Sequence, residues 1–183
     1  MKSLTVCMYG AASNNIDVNY FRQAEAFGRG IGKRGYNLIY GGGGSGLMGA
    51  AARGVRAEGG KVISVVPNFM YEVEDIFGDC TQMIRTETMA ERKSIMEDNG
   101  DAFVIVPGGV GTFDEFFEIL ALVGLRQLTA PIILFNIDGY YDTLIALLEH
   151  SRQKGFIAYD TWKYITVAST VQDVMTVLDG IAV

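Results

Sequence analysis

Ala102-Phe-Val-Ile-Val106, running into Pro107-Gly-Gly-Val-Gly-Thr-Phe-Asp-Glu115, is the stretch on which the fold turns. The first five residues are apolar and too few for a helix, so they predict a buried strand. Pro107, Gly108, Gly109 and Gly111 end it. From Thr112 onward, Phe113, Phe116, Phe117, Leu120 and Val123 fall at helical spacing and predict a helix over Thr112–Gly124. A strand, a glycine loop and a helix N-terminus together suit an anion. Glycines let backbone N–H groups come close, and the helix dipole favours negative charge. Glu115 places a carboxylate one turn inside the same site. Thr112-x-x-Glu115 also fits a capping box, in which both side chains serve only the helix start. Both explanations stand at this point.

A second unit of the same kind lies upstream. Tyr36-Asn-Leu-Ile-Tyr40 predicts a strand, Gly41-Gly-Gly-Gly-Ser-Gly46 a loop, and Leu47-Met-Gly-Ala-Ala-Ala52 part of a helix. Four successive glycines cost chain entropy and call for a reason. The pattern is neither a P-loop, since no Lys-Ser/Thr pair follows, nor the dinucleotide fingerprint, whose glycine spacing differs. A plain tight turn is the alternative.

Working outward, strand and helix patterns alternate along the chain. Strands are predicted at Leu4–Tyr9, Asn37–Tyr40, Lys61–Val66, Gln82–Arg85, Ala102–Val106, Pro131–Asn136 and Trp162–Val167. Helices are predicted at Val18–Arg34, Gly46–Ala57, Thr88–Asn99, Thr112–Gly124, Tyr140–Lys154 and Thr170–Leu178, with Asn68–Cys80 irregular. Thr88-x-x-Glu91 reads as a capping box. This alternation, with Val- and Ile-rich strands, predicts an α/β fold: one doubly wound parallel sheet, Rossmann-like, with helices on both faces. No linker or repeat divides the chain, so 1–183 is expected to be a single domain. Ligands in such sheets bind at the carboxyl ends of the strands, near a switch in strand order. Both glycine loops, Ala11-Ala-Ser13 and the helix start at Thr88 are expected to gather there.

Composition excludes several classes. The chain has 183 residues, 49% hydrophobic and 20% charged, with net charge −6. That balance disfavours a nucleic-acid or anionic-membrane partner, which wants a basic face. It leaves a small anionic ligand open, since that needs only local donors. Two cysteines, Cys7 and Cys80, are too few for a disulfide framework, and Cys7 is expected to be a buried thiol in a central strand. With no signal peptide and no apolar run long enough to cross a bilayer, a cytoplasmic location is expected. One histidine, His150, and no cysteine cluster predict no dedicated metal site. His150 is expected near a helix end, in solvent.

Met89-Ala-Glu-Arg-Lys93 opens the Thr88 helix with two cations, Arg92 and Lys93, where the dipole disfavours them. A solvated face, an ion pair with Glu115, or a cleft-facing Arg92 that binds phosphate or ribose by its planar fork would each account for this.

Met89-x-x-Arg92-Lys93 together with Pro107-Gly-Gly-x-Gly-Thr-x-x-Glu115 resembles the Lonely Guy family. Tyr40-Gly-Gly-Gly-x-x-Gly-Leu-Met-Gly49 and Asn136-x-x-Gly-Tyr-Tyr-Asp142 are similar to two further motifs of that family, so the resemblance covers nearly the whole chain. It implies a cytokinin riboside 5′-monophosphate phosphoribohydrolase, long mislabelled as a lysine decarboxylase. Such an enzyme hydrolyses the N-glycosidic bond of a purine-type nucleoside monophosphate to free base and ribose 5-phosphate. It implies Arg92 and Glu115 as the catalytic pair. The substrate contacts it implies are Ser13, Gly42, Gly43, Glu74, Met89, Lys93 and the loop Gly108, Gly109, Val110, Gly111 and Thr112. No cofactor is implied, and a homodimer is. The chain departs from the family pattern at Ala11-Ala12, Gly44-Ser45, Thr88, Ala90 and Ala121-Leu122, around the base and ribose. The rival expectation is a non-catalytic nucleotide or molybdenum-cofactor carrier on the same type of fold, which would need no acid at Glu115.

Overall fold

The computed structural model describes residues 3–158 and 162–182. The strands are β1 (Thr5–Tyr9), β2 (Asn37–Tyr40), β3 (Lys61–Pro67), β4 (Gln82–Thr86), β5 (Ala102–Ile105), β6 (Ile132–Phe135) and β7 (Ile165–Ala168). They form one parallel sheet in the order β4-β3-β2-β1-β5-β6-β7. The helices are α1 (Val18–Lys33), α2 (Gly46–Ala57), α3 (Met89–Asn99), α4 (Val110–Gly124), α5 (Asp142–Gln153) and α6 (Val171–Ile181). This is the Rossmann-like α/β architecture expected from the alternation.

Side-chain alternation along each strand sorts the core into two layers. Val6, Met8, Leu38, Tyr40 and Val104 face Phe27 of α1, Val55 of α2 and Leu178 of α6. Cys7, Tyr9, Ile39, Phe103 and Ile105 face Met96 of α3, Phe116 and Leu120 of α4 and Leu148 of α5. Helices on both faces explain why all five residues of β1 are buried, although only one set points each way. Cys7 is a buried free thiol in the central strand, as expected, and His150 stands exposed in the last turn of α5.

Glycines let α1 and α2 approach backbone to backbone. A Cβ at Gly28 would stand 2.0 Å from the Ala51 carbonyl oxygen, and one at Gly54 would stand 2.2 Å from that of Glu25. Gly28→Val is therefore expected to wedge the helices apart and lower unfolding stability by about 1–3 kcal/mol, the usual cost of overpacking. An unchanged midpoint in urea unfolding would contradict this close approach.

Four sequence expectations are corrected. α4 starts at Val110 with Gly109 as its N-cap and no side-chain cap bond, so Thr112 and Glu115 lie inside the helix and form no capping box. The extended backbone of Gly109 (φ −94°, ψ −151°) turns the chain into the helix earlier than the apolar spacing suggests. At α3, Thr88 Oγ1 accepts from Glu91 N at 3.1 Å, but the Glu91 carboxylate accepts from Glu87 N, one residue too early for a full box. α5 starts at Asp142 rather than Tyr140. A short turn at Ile137–Gly139, with left-handed Asp138 (φ 52°) and Gly139 (φ 73°), precedes it. β7 begins at Ile165, because Trp162 stands in a helical turn, its backbone N–H donating to Ala158 O at 3.3 Å, and a turn at 163–164 follows it.

The chain fills the sheet from β1 toward β4 and then restarts on the other side of β1 with β5. The switch in strand order therefore lies between β1 and β5. The loops leaving these strands meet there: Ala11 N donates to Pro107 O at 3.1 Å. The first glycine loop joins them, since Leu47 N donates to Ala11 O at 2.8 Å and Gly46 N to Asn14 Oδ1 at 2.9 Å.

Candidate active site

The loop before α4 is held from both ends. The Tyr141 hydroxyl donates to Val106 O at 2.7 Å, and the Tyr140 hydroxyl donates to Gly108 O at 2.6 Å. Gly108 must lack a side chain, because a Cβ there would stand 2.1 Å from Thr112 Oγ1 and 3.0 Å from Ala11 N. Gly109 and Gly111 differ: a Cβ at either would meet nothing within 4 Å, and Val110 between them is 85% exposed. The open side of this loop carries the first turn of α4, whose amides have no intrahelical partners and whose dipole is positive. This corner can bind an anion.

Arg92 in the first turn of α3 and Glu115 in α4 meet beside Gly41, at the carboxyl end of β2. Arg92 Nη2 donates to Glu115 Oε1 at 3.0 Å, and the two residues are 7% and 8% exposed. Glu115 is an anion that makes a cation tolerable near the start of α3, so the ion pair expected for Arg92 is present. Met89 contributes its sulfur to Arg92 Nη1 at 3.6 Å, while the buried Arg92 Nε–H has no hydrogen-bond partner. Burial pushes the Glu115 carboxyl up to about 7, with Arg92 pulling it back only in part. A carboxyl poised near neutrality beside an unspent guanidinium donor is the arrangement expected of a reacting site.

Lys93 turns the other way. Its Nζ lies 3.1 Å from Asp114 Oδ2 and 2.5 Å from Glu118 Oε2, and these carboxylates, Glu118 foremost, hold its pKa above the usual value. Thus α3 delivers Arg92 to the buried Glu115 and Lys93 to an acidic stripe on α4.

Two clefts open at the switch point and share Ser13. One, of about 370 Å³, is lined by Ser13, Asn14, Gly43, Ser45, Glu74 and Asp75. Glu74 reaches the first glycine loop here, its Oε2 lying 3.2 Å from where a Gly43 Cβ would stand. The other, of about 170 Å³, lies between Ile16, Tyr20, Pro107, Gly108 and Tyr140 and is mostly apolar. Gly42, next to Gly43, has φ 84° and would clash with Val66 if it carried a side chain. Asn14, Gly41 and Tyr140 were not among the expected site residues. The Asn136-x-x-Gly-Tyr-Tyr-Asp142 motif was the available signal for Tyr140.

A family model described as "possible lysine decarboxylase" matches residues 48–178, from within α2 into α6, and so includes both Arg92 and Glu115. The chain belongs to this family, the Lonely Guy family. Among its relatives in the Lonely Guy family is a protein of Oryza sativa subsp. japonica named probable cytokinin riboside 5′-monophosphate phosphoribohydrolase. It is 35% identical over 95% of this chain and 71% of its own length. A Mycobacterium tuberculosis protein with the name cytokinin riboside 5′-monophosphate phosphoribohydrolase is 36% identical over 93% of this chain and 91% of its own. Solved structures with the same fold include the molybdenum cofactor binding protein from Rippkaea orientalis (TM-score 0.75, 18% identity, 100% and 99% of the two chains). The molybdenum cofactor carrier protein from Chlamydomonas reinhardtii is similar too (TM-score 0.73, 21% identity, 98% of each). At these identities the likeness to the two proteins is one of fold.

Proposed function

We propose that this chain, acting as a single domain, hydrolyses the N-glycosidic bond of a purine-type nucleoside 5′-monophosphate, releasing free base and ribose 5-phosphate. The observation that carries this is the buried Arg92–Glu115 pair set beside the open N-terminus of α4, with the Glu115 carboxyl raised to about 7. The names of the rice and mycobacterial relatives support the reaction.

The chemistry needs little machinery. As the C1′–N bond breaks, its electron pair leaves with the base and positive charge builds on the ribose ring, as in glycoside hydrolysis. The Glu115 carboxylate opposes that charge and takes a proton from the water that adds at C1′; the departing base nitrogen gains a proton in turn. Arg92 keeps Glu115 oriented and offers its remaining donors to substrate oxygens. The 5′-phosphate binds on the amides of Gly109 to Thr112, using binding energy remote from the bond to position the ribose. Glu74, Ser13 and Gly43 border the polar cleft that takes the sugar hydroxyls, and Gly42 precedes Gly43 in the turn.

The decarboxylase label fits poorly. A Schiff-base lysine must lose its proton, whereas Lys93 is paired with two carboxylates that hold it charged. The carrier alternative is separated by one assay. The purified protein is incubated with a panel of nucleoside 5′-monophosphates and free base is sought by chromatography. Base release supports the hydrolase; binding with every nucleotide recovered intact supports a carrier.

The protein is further proposed to act as a homodimer in the cytoplasm. Phe117, 43% exposed, and Phe156, 86% exposed, border an apolar groove with Leu120 and Ala121 on α4, a surface suited to a second copy. No helix among the described residues is long and apolar enough to cross a membrane.

A further inference from the structure

Gly41, the first residue after β2, touches Arg92, and we propose that it is a positioning residue: its missing side chain is the seat on which the Arg92 guanidinium lies while it holds Glu115. This rests on Arg92 and Glu115 being the reacting pair.

The backbone does not explain why residue 41 is glycine. Gly41 is absent from the left-handed residues, whereas Gly42 has φ 84°. Space explains it. A Cβ at Gly41 would stand 2.0 Å from Arg92 Nη2, 2.8 Å from Cζ and 3.4 Å from Nε, and these are the three nearest atoms. Nη2 is also the atom that donates to Glu115 Oε1 at 3.0 Å. A single methyl at residue 41 therefore lands on the atom that makes the pair. The rest of the glycine run answers to other neighbours: Gly42 to Val66, Gly43 to Met48 and Glu74, Gly44 to Asp75. Within the run, Gly41 alone faces the guanidinium among the contacts closest to each glycine.

The obstacle at Gly41 is the end of a flexible side chain, so Gly41→Ala can be relieved by moving Arg92 rather than the backbone. That predicts a folded protein with a displaced pair. Displacement on the order of 1 Å costs about 10²-fold in turnover. Moving the cation away also raises the Glu115 pKa above that of the unaltered protein.

The test is a cycle of Gly41→Ala, Arg92→Ala and the double variant. Nucleotide cleavage, thermal melting and titration of the Glu115 carboxyl by carbon-13 NMR are measured in each. Gly41→Ala should lose about 10²-fold in cleavage and raise the Glu115 pKa; adding it to Arg92→Ala should change neither titration nor melting. Wild-type cleavage and titration in Gly41→Ala would overturn the proposal, as would further changes in the double variant. If Gly41→Ala fails to fold while the double variant folds, the clash with Arg92 is upheld. If both fail to fold, the Cβ meets more than Arg92 and the proposal falls. If the unaltered protein cleaves no nucleotide, the hydrolase reading fails, and the titrations still decide the seat.

Discussion

Glu115→Gln is expected to leave a folded protein whose turnover falls by about 10²–10⁴-fold, the usual size of an acid–base contribution. Glutamine keeps the shape and still accepts the bond from Arg92 Nη2, but it carries no charge. Helix capping cannot account for such a loss, because Glu115 sits inside α4, whose N-cap is Gly109. The pH dependence is a second readout. With the carboxyl at about 7, a reaction that needs the carboxylate falls off as pH drops through about 7, and that limb disappears in the variant. Stability runs the opposite way. The folded value lies above the ordinary 4.5, so the contribution is full below 4.5 and is lost as pH rises through about 7. The wild type should soften across that window and Glu115→Gln should soften less, because Glu97, also raised to about 7 by burial, still loses its contribution there. Arg92→Ala should be similarly inactive and the double variant little worse, since groups acting as a unit are non-additive. Near-normal turnover by folded Glu115→Gln, on a nucleotide the wild type cleaves, would favour the carrier.

Removing the phosphate from the substrate is the second large effect. The unphosphorylated riboside should be cleaved at least about 10²-fold less efficiently, the equivalent of losing two or more charge-assisted hydrogen bonds. The loss should be visible in kcat/KM. Gly109→Val should mimic it in part: a Cβ there meets no protein atom within 4 Å, so the fold is spared while the anion corner is narrowed. Equal cleavage of nucleotide and riboside would refute the phosphate assignment.

The sheet was legible because its signals are local. Runs such as Thr5–Tyr9 and Ala102–Ile105 are continuous apolar strands, and the helices between them carry their own periodicity. Element starts were less so. Gly109 takes an N-cap position without any capping side chain, so the Thr112-x-x-Glu115 spacing looked like a signal and was not one. Tyr140 and Tyr141 have helix-compatible spacing, yet left-handed Asp138 and Gly139 hold back the start of α5. The meeting of Arg92 with Glu115 spans 23 positions. The awkward charge near the start of α3 hinted at it, and the family resemblance pointed to the same two residues. Whether Gly41 needed to be glycine was hidden altogether, because the reason lies in a side chain from another element.

The two tyrosine hydroxyls that fasten Val106 and Gly108 bear on the thermodynamics of ligand capture. A glycine-rich segment left to itself samples many shapes, and freezing it consumes free energy that binding must supply. Here the frozen shape is reached before any anion arrives, tethered at 2.7 and 2.6 Å to neighbouring aromatic residues. An anion thus meets a rigid socket, and association should be fast and show little induced ordering. Cutting the tethers with Tyr140→Phe and Tyr141→Phe would leave the donors in place yet weaken phosphate capture through entropy alone.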